Sequence, residues 1–213
     1  MVGSESHSAG LDFSTRGRDV TVIFGDGAGA AVLQPTTEES KGVLTTHLHA
    51  DGTHAEKLAF LNPGSHSGVF TGDESVYDKS NPQESLMITE GMVKEGKIYP
   101  NMDGQFVFKN AVRRFPEVIG EALMTAGLQV SDIDMLIPHQ DNLRIAQFVQ
   151  NMLKLSDDKV YNNIQKYGNT TAASIPIALC EAWEKGLIKD GDLVCLAAFG
   201  SGFTWGSALI RWG

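Results

Sequence analysis

A short apolar run that ends in a polar turn constrains the fold more than any other feature of this sequence. Residues 135–137 are all apolar, and Pro138 closes the run because proline has no N–H to donate to a strand ladder. His139 follows where the chain leaves the predicted strand, and Asp141 or Asn142 can cap the helix that comes next. Ligands of open α/β sheets bind at the carboxyl ends of strands. The pattern therefore predicts a functional site at His139.

Two later turns carry polar groups of the same kind. Asn169 follows Gly168 in one turn, and Ser201 lies between two glycines in the other. A neutral imidazole and a primary amide each donate hydrogen bonds, and two donors aimed at one oxygen suit a developing enolate or oxyanion. A structural histidine and a plain Gly-Asn turn are the alternative interpretations of His139 and Asn169. The three turns together predict one polar pocket.

The rest of the hydrophobic pattern alternates between the periods of strands and helices. Helices are predicted between Gly104 and Gly127, where Pro116 should introduce a kink, and at 142–153 and 171–185. This alternation predicts an α/β fold with a mixed, mostly parallel sheet that carries helices on both faces. Between residues 62 and 101 the periodicity fades, which is typical of functional or mobile segments. Strands are predicted at residues 2–5, 20–24, 29–33, 42–48, 133–137, 160–164, 193–199 and 205–211.

Three other motifs have better structural than chemical explanations. The glycine-rich segment 25–29 lacks the lysine of a phosphate loop and the helix that follows a dinucleotide turn, so tight turning and close backbone packing are favoured. The histidines at 47, 49, 54 and 66 lack carboxylate or cysteine partners at ligand spacing, so no metal site is predicted. Cys180 and Cys195 lie in apolar sequence and are expected to be buried and unreactive.

The charge distribution limits the kinds of partner. The formal charge of −9 argues against nucleic acid. Residues 1–104 hold 7 basic and 15 acidic side chains, whereas residues 105–166 hold 7 of each, so an acidic partner would dock in the middle third. Lys109 and Arg113, one helical turn apart, could form a basic entrance there with Arg144, and scattered solvated charge is the alternative.

No apolar run approaches the roughly 20 residues of a membrane span. The N-terminus also lacks the pattern of a signal peptide. We therefore expect no membrane association and a cytoplasmic location.

Five segments, in order and at sensible spacing, carry a resemblance to a known family. Pro-His-Gln-x-Asn-x-Arg-Ile at 138–145, Tyr-Gly-Asn-Thr-Thr-Ala-Ala-Ser-Ile-Pro at 167–176 and Ala-Phe-Gly-Ser-Gly-Phe-Thr-Trp-Gly-Ser-Ala-Leu-Ile at 198–210 resemble the C-terminal half of β-ketoacyl-acyl-carrier-protein synthase III, a thiolase-fold condensing enzyme. Phe-Gly-Asp-Gly-Ala-Gly-Ala-Ala at 24–31 and Thr-His-Leu-His-Ala-Asp-Gly at 46–52 are similar to the same family.

The resemblance implies a fold, a reaction and its substrates. Residues 1–60 would be closing strands of the N-terminal half, 61–104 an insertion or lid loop, and 105–213 the C-terminal thiolase-like half. The implied reaction is the decarboxylative Claisen condensation of malonyl carrier protein with an acyl-CoA primer in fatty-acid biosynthesis. It needs no metal or redox cofactor, since the CoA thioester and the carrier protein's phosphopantetheine are substrates.

The same resemblance implies roles for individual residues. His139 and Asn169 would stabilise the enolate, and Ser201 would supply one main-chain amide of an oxyanion hole. Lys109, Arg113 and Arg144 would bind the acyl carrier protein or CoA. The residues implied for the substrate channel are Gly104, Phe108 and Asn142.

The family's nucleophilic cysteine corresponds to a position before residue 1. The chain alone is therefore expected to be an inactive part of an acyltransferase, paired with the N-terminal half of the synthase or within a homodimer. One alternative is a non-catalytic half-synthase subunit that pairs with a cysteine-bearing partner. Another is a different thiolase-fold CoA condensing enzyme, such as a hydroxymethylglutaryl-CoA or chalcone-type synthase, because the His-Asn pair does not separate these relatives.

Overall fold

The structure is a computed structural model that describes residues 1–61, 88 and 90–213. The predicted lid loop at 61–104, and the mobility expected of it, fall mostly on residues outside these ranges. Both stay predictions. Among the described residues no helix is long and apolar enough to cross a membrane.

The central element is a four-stranded mixed sheet. Its strands are β3 (Gly42–Ala50), β6 (Met135–Pro138), β7 (Leu193–Gly200) and β8 (Thr204–Arg211), arranged in the order β3-β8-β7-β6. β6 is buried at all four residues, as its apolar run predicts. β6 and β7 are parallel, whereas β8 pairs antiparallel with both β7 and β3. The sheet is mixed, as predicted, but one of its three described strand pairs is parallel and two are antiparallel, so it is not mostly parallel. The short turn at 201–203 joins β7 and β8 as a hairpin, and the two strands of a hairpin are antiparallel.

The described residues also form two small antiparallel sheets. β1 (Val2–Glu5) pairs with β2 (Gly27–Ala30), and β4 (Leu58–Phe60) pairs with β5 (Pro100–Met102). β2 begins two residues before the predicted strand at 29–33 and ends three residues before its end. A Cβ atom at Gly25 would lie 2.0 Å from the Tyr167 carbonyl oxygen, and one at Gly29 would lie 2.5 Å from Pro176 Cβ. This close approach confirms the packing interpretation of the glycine-rich segment.

The predicted strand at 20–24 does not form. The chain makes one helical turn, α1 (Arg18–Thr21), and only Phe24 forms a bridge, to Asn169. The β-branched composition of the segment favours a strand, but the Thr21 hydroxyl donates to the main-chain oxygen of Asp12 over 2.7 Å and supports the turn. Tertiary contacts have overridden local propensity here.

Helices cover the sheet and supply much of the core. The long predicted helix is α3 (Gly104–Thr125), and Asp103 caps it by accepting the main-chain N–H of Phe106 over 3.1 Å. It runs through Pro116 as one helix and packs against β7, β8 and α4 (Leu143–Leu153). After α1, the helices of the described residues are α2 (Glu90–Glu95), α3 (Gly104–Thr125), α4 (Leu143–Leu153), α5 (Ile164–Tyr167) and α6 (Ser174–Glu184). The buried apolar residues of α3 are Val107, Ala111, Phe115, Val118, Ile119, Ala122 and Leu123.

The predicted strand at 160–164 is also absent. Val160 forms a single bridge to Leu136, and the chain then enters α5. The side-chain oxygen of Gln140 accepts the main-chain N–H groups of Asn163 and Ile164 over 2.9 and 3.1 Å. Because the first N–H groups of a helix have no partner within it, this distant side chain favours a helical turn here.

Candidate active site

The three polar turns meet at one cavity of about 770 Å³. Of the nine residues predicted to form the site, eight line this cavity and Arg113 does not. The eight are Gly104, Phe108, Lys109, His139, Asn142, Arg144, Asn169 and Ser201.

His139 is held at the end of β6 by its main chain and by its ring. Its N–H donates to the Ala197 carbonyl over 2.7 Å, which extends the β6–β7 ladder by one residue. Its Nδ1 lies 2.6 Å from the hydroxyl oxygen of Ser174. Burial lowers the pKa of the ring to about 4, because an imidazolium would lose its hydration. At neutral pH the ring is therefore uncharged.

Asn169 is buried and oriented from both its main chain and its side chain. Its N–H donates to Ile23 and its carbonyl accepts from Gly25. Its side-chain oxygen accepts the main-chain N–H of Thr171 over 2.8 Å. Since the amide oxygen is occupied, the amide NH₂ is the group left to serve the cavity.

Gln140 ties the His139 turn to the segment that follows α4. Its amide group is buried and donates to the Pro138 carbonyl over 2.7 Å, while its oxygen accepts the two N–H groups at the start of α5. A buried amide with satisfied donor and acceptor fixes the turn.

Asp141 places a carboxyl group in the cavity next to His139. It accepts the main-chain N–H of Asn142 over 2.6 Å, and burial raises its pKa to about 7. Asn142 caps α4 by accepting the N–H of Arg144 over 2.9 Å, so it also has a structural role. The cavity therefore holds one carboxyl group that can be neutral near physiological pH.

The basic residues divide into two groups. Lys109 and Arg144 are exposed and line the cavity. Arg113 lies one turn further along α3, and its guanidinium is 3.8 Å from the Glu117 carboxylate. The structure thus brings two of the three predicted basic residues together at the cavity.

Neither cysteine of the sequence lines the cavity. Cys195 is buried in β7, as predicted, and burial raises its pKa to about 12. Cys180 is exposed on α6, so the prediction that both cysteines are buried was wrong. The apolar pattern around Cys180 misled because α6 buries Ala178 and Ala182 on its other side.

Two of the histidines that were considered as metal ligands, His47 and His49, contact the side chain of Glu121. His49 Nε2 lies 2.6 Å and His47 Nδ1 3.2 Å from the two carboxylate oxygens of Glu121, and these contacts join β3 to α3. Within the part of the chain that the structure describes, no group of three or more His, Cys, Asp or Glu residues could hold a metal ion.

Sequence reasoning missed two residues that contact His139 or Asn169, and a third that contacts one of these two. Ser174 contacts His139, Thr171 holds Asn169, and the Thr171 hydroxyl in turn donates to Glu5 over 2.8 Å. Ser174 and Thr171 lie in the same segment as Asn169, and this proximity is the one signal that could have marked them.

Comparisons with known proteins agree with this fold. A family model described as 3-oxoacyl-[acyl-carrier-protein (ACP)] synthase III C terminal matches residues 123–212, and one described as 3-oxoacyl-[acyl-carrier-protein (ACP)] synthase III matches residues 1–52. The β-ketoacyl-[acyl-carrier-protein] synthase III of Rhodospirillum centenum is 41% identical over 215 residues, which is 100% of this chain and 58% of that protein. Its counterpart in Escherichia coli (strain K12) is 42% identical over 211 residues, covering 99% and 57%.

Solved structures give the same result. The crystal structure of the Thermus thermophilus synthase III superposes with a TM-score of 0.79 at 36% identity and covers 100% of this chain and 58% of that one. The fold is that of a thiolase-like protein. The chain belongs to the 3-oxoacyl-[acyl-carrier-protein] synthase III family, and it spans 57–58% of the length of the curated relatives cited here.

Proposed function

We propose that this chain forms the enolate-stabilising and substrate-binding part of a 3-oxoacyl-[acyl-carrier-protein] synthase III in fatty-acid biosynthesis. The observation that carries the proposal is the pair His139 and Asn169, two oriented and uncharged donors in one cavity. The synthase names of the relatives support acyl carrier protein as a substrate.

The proposed chemistry needs only hydrogen bonds from these two side chains. Loss of CO₂ from a malonyl thioester leaves the bonding electrons as an enolate, whose charge rests on the thioester oxygen. His139 and Asn169 donate to that oxygen, and removal of one such donor typically costs about 3–4 kcal/mol of transition-state stabilisation. The enolate carbon then attacks an acyl thioester on a cysteine, a C–C bond forms, and the thiolate leaves. The main-chain N–H of Ser201 is proposed to stabilise the oxyanion of that tetrahedral intermediate.

The acyl-carrying cysteine is proposed to come from outside these 213 residues. Cys195 is buried with a raised pKa, and Cys180 lies on α6 away from the cavity lining. A buried thiol is a poor nucleophile at neutral pH. The partner would be an N-terminal half of the synthase or a homodimer mate, and these pairings, like the cytoplasmic location, stay predictions.

Lys109 and Arg144 are proposed to receive the acidic carrier protein. They flank the cavity in the part of the chain where acidic and basic side chains balance. Gly104, Phe108 and Asn142 line the same cavity and would contact the pantetheine or acyl group.

The placement of the cysteines keeps a second candidate function open, that of a non-catalytic subunit that completes another chain's site. An assay of malonyl decarboxylation separates the two functions, because this step needs the two donors and no thiolate. The 213-residue protein is incubated with ¹⁴C-malonyl carrier protein, alone and with the cysteine-bearing part of a synthase III relative, and released ¹⁴CO₂ is counted.

We expect ¹⁴CO₂ release that falls about 100-fold or more in His139→Ala and in Asn169→Ala. Release with malonyl-CoA but none with malonyl carrier protein would favour a different CoA condensing enzyme. The proposed function would be contradicted if no ¹⁴CO₂ were released either by the protein alone or with the cysteine-bearing part. It would also be contradicted if His139→Ala and Asn169→Ala both released ¹⁴CO₂ at the wild-type rate.

A further inference from the structure

Ser174 is a buried residue at the start of α6 that contacts His139. Its hydroxyl oxygen lies 2.6 Å from His139 Nδ1 and accepts the main-chain N–H of Gln140 over 3.4 Å. Only 2% of its surface is exposed. The contact decides which ring nitrogen carries the proton, because the neutral imidazole has one donor and one acceptor.

The arrangement of protons follows from the two contacts. The Gln140 N–H can only donate, so the serine oxygen accepts there. If Nδ1 also donated to this oxygen, both contacts of the Ser174 hydroxyl would be with donors. The buried hydroxyl proton would then have no acceptor among the hydrogen bonds of the described residues. An unsatisfied buried donor costs about 1–3 kcal/mol. If Nδ1 accepts the serine proton, both groups are satisfied and the ring proton lies on Nε2.

We infer that Ser174 is a positioning residue that holds His139 in the Nε2–H tautomer, so that the ring donates a hydrogen bond into the cavity. The opposite tautomer would direct the Nε2 lone pair at the substrate oxygen and remove the donor. The catalytic consequence rests on the proposed function, whereas the tautomer itself does not.

The same turn orients both donors. Residues 171–174 carry the Thr171 N–H, which holds the Asn169 amide, and the Ser174 hydroxyl, which holds the His139 ring. The two donors therefore keep a common geometry even though they lie 30 residues apart in the sequence. Preorganisation of this kind is what makes a donor pair effective on a developing charge.

The test is to measure the tautomer directly by long-range ¹H–¹⁵N correlation spectroscopy of the histidine rings in the 213-residue protein at pH 7. The His139 signals are assigned from their absence in His139→Ala. We expect the wild type to show protonated Nε2, and Ser174→Ala to show a substantial fraction of protonated Nδ1. Ser174→Thr, which keeps the hydroxyl, should restore the wild-type pattern.

Ser207→Ala is the matched control. Ser207 is also a buried serine, and it donates to the Val118 carbonyl over 2.9 Å, outside the residues that line the cavity. It should lose comparable stability and keep the His139 tautomer. A wild-type protein with protonated Nδ1 would overturn the inference, whether or not any variant folds.

Kinetics provide the second readout. Ser174→Ala should lower kcat for malonyl decarboxylation about tenfold or more, with KM for malonyl carrier protein unchanged, because the substrate still binds but the donor is lost in part. If Ser174→Ala showed both tautomers of His139 and yet kept the wild-type kcat, the catalytic role of Ser174 would be overturned. If the wild type shows Nε2–H but releases no CO₂, the proposed function fails and the tautomer assignment stands.

Discussion

The Thr171 hydroxyl donates to the Glu5 carboxylate over 2.8 Å, from a backbone whose φ angle is 40°. A β-branched residue rarely adopts a left-handed backbone conformation, so the conformation of Thr171 depends on contacts made by the surrounding structure. The main-chain N–H of Thr171 holds Asn169 at the same time. Glu5, on β1, thus supports Asn169, a proposed donor that lies far from it in the sequence.

Replacing Glu5 by alanine should lower the free energy of unfolding by about 1–2 kcal/mol at pH 7. The hydrogen bond from Thr171 holds the pKa of Glu5 below its usual value, so its contribution is present above pH 4.5 and is lost as the pH falls through the folded-state pKa. Urea unfolding at pH 7 and pH 3 measures the difference. Glu39→Ala, at an exposed position, is the control, and an equal loss at both pH values would contradict the role of the Glu5 carboxylate.

The carboxyl group of Asp141 should make stability fall as the pH rises. Its folded-state pKa of about 7 lies above the ordinary value of 3.8, so the stabilisation is full below pH 3.8 and is lost as the pH rises through 7. Asp141→Asn should therefore gain stability relative to the wild type between pH 4 and pH 8, by at most about 4 kcal/mol. Urea titrations across this range provide the test.

Asp158→Asn is a useful comparison because a hydrogen bond from Ser156 lowers the pKa of Asp158, which gives the opposite slope. A pH-independent difference in stability between the wild type and Asp141→Asn would show that Asp141 is ionised throughout.

The ionised Asp141 carboxylate should repel the malonyl carboxylate. KM for malonyl carrier protein should therefore rise above pH 7 in the wild type and not in Asp141→Asn.

Charge reversal separates the basic residues at the cavity from Arg113. Lys109→Glu and Arg144→Glu should each raise KM for malonyl carrier protein about tenfold, because a charge at the edge of an interface is inverted. Arg113→Glu is the matched control and should change KM less, since Arg113 lies outside the cavity lining and beside Glu117. Equal increases for acyl-CoA would show that these residues do not form a carrier-protein dock.

Iodoacetamide should distinguish the two cysteines. The native protein should take up one label at Cys180, which is exposed, while Cys195 should react only after unfolding because it is buried and its pKa is raised. Mass spectrometry of native and urea-unfolded samples measures this, with Cys180→Ser as the control. If alkylation of Cys180 abolished condensation in the presence of a cysteine-bearing partner, the nucleophile would have to be reassigned.

Local sequence patterns predicted the parts of the fold that depend on local chemistry. The apolar run before Pro138, the cap at Asn142 and the periodicity of α3 each fix an element through neighbouring residues. The strand-end positions of His139 and Ser201 were also enough to predict that the two residues share one cavity, because the ends of adjacent strands meet at one edge of a sheet. Asn169 was predicted at the same cavity and does line it, but it follows helix α5 and not a strand.

Tertiary structure alone decided the features that depend on residues far apart in the sequence. The apolar segment 20–24 became a helical turn supported by Asp12, and the segment after Val160 became helical because Gln140 caps it. Cys180 is exposed because α6 packs against the rest of the protein through its opposite side. The contact between Ser174 and His139 has no local signature, since a hydroxyl and an imidazole 35 residues apart meet only when α6 packs beside β6. Hydrophobic periodicity and turn conformation depend on neighbouring residues, whereas hydrogen bonds between elements depend on how those elements pack.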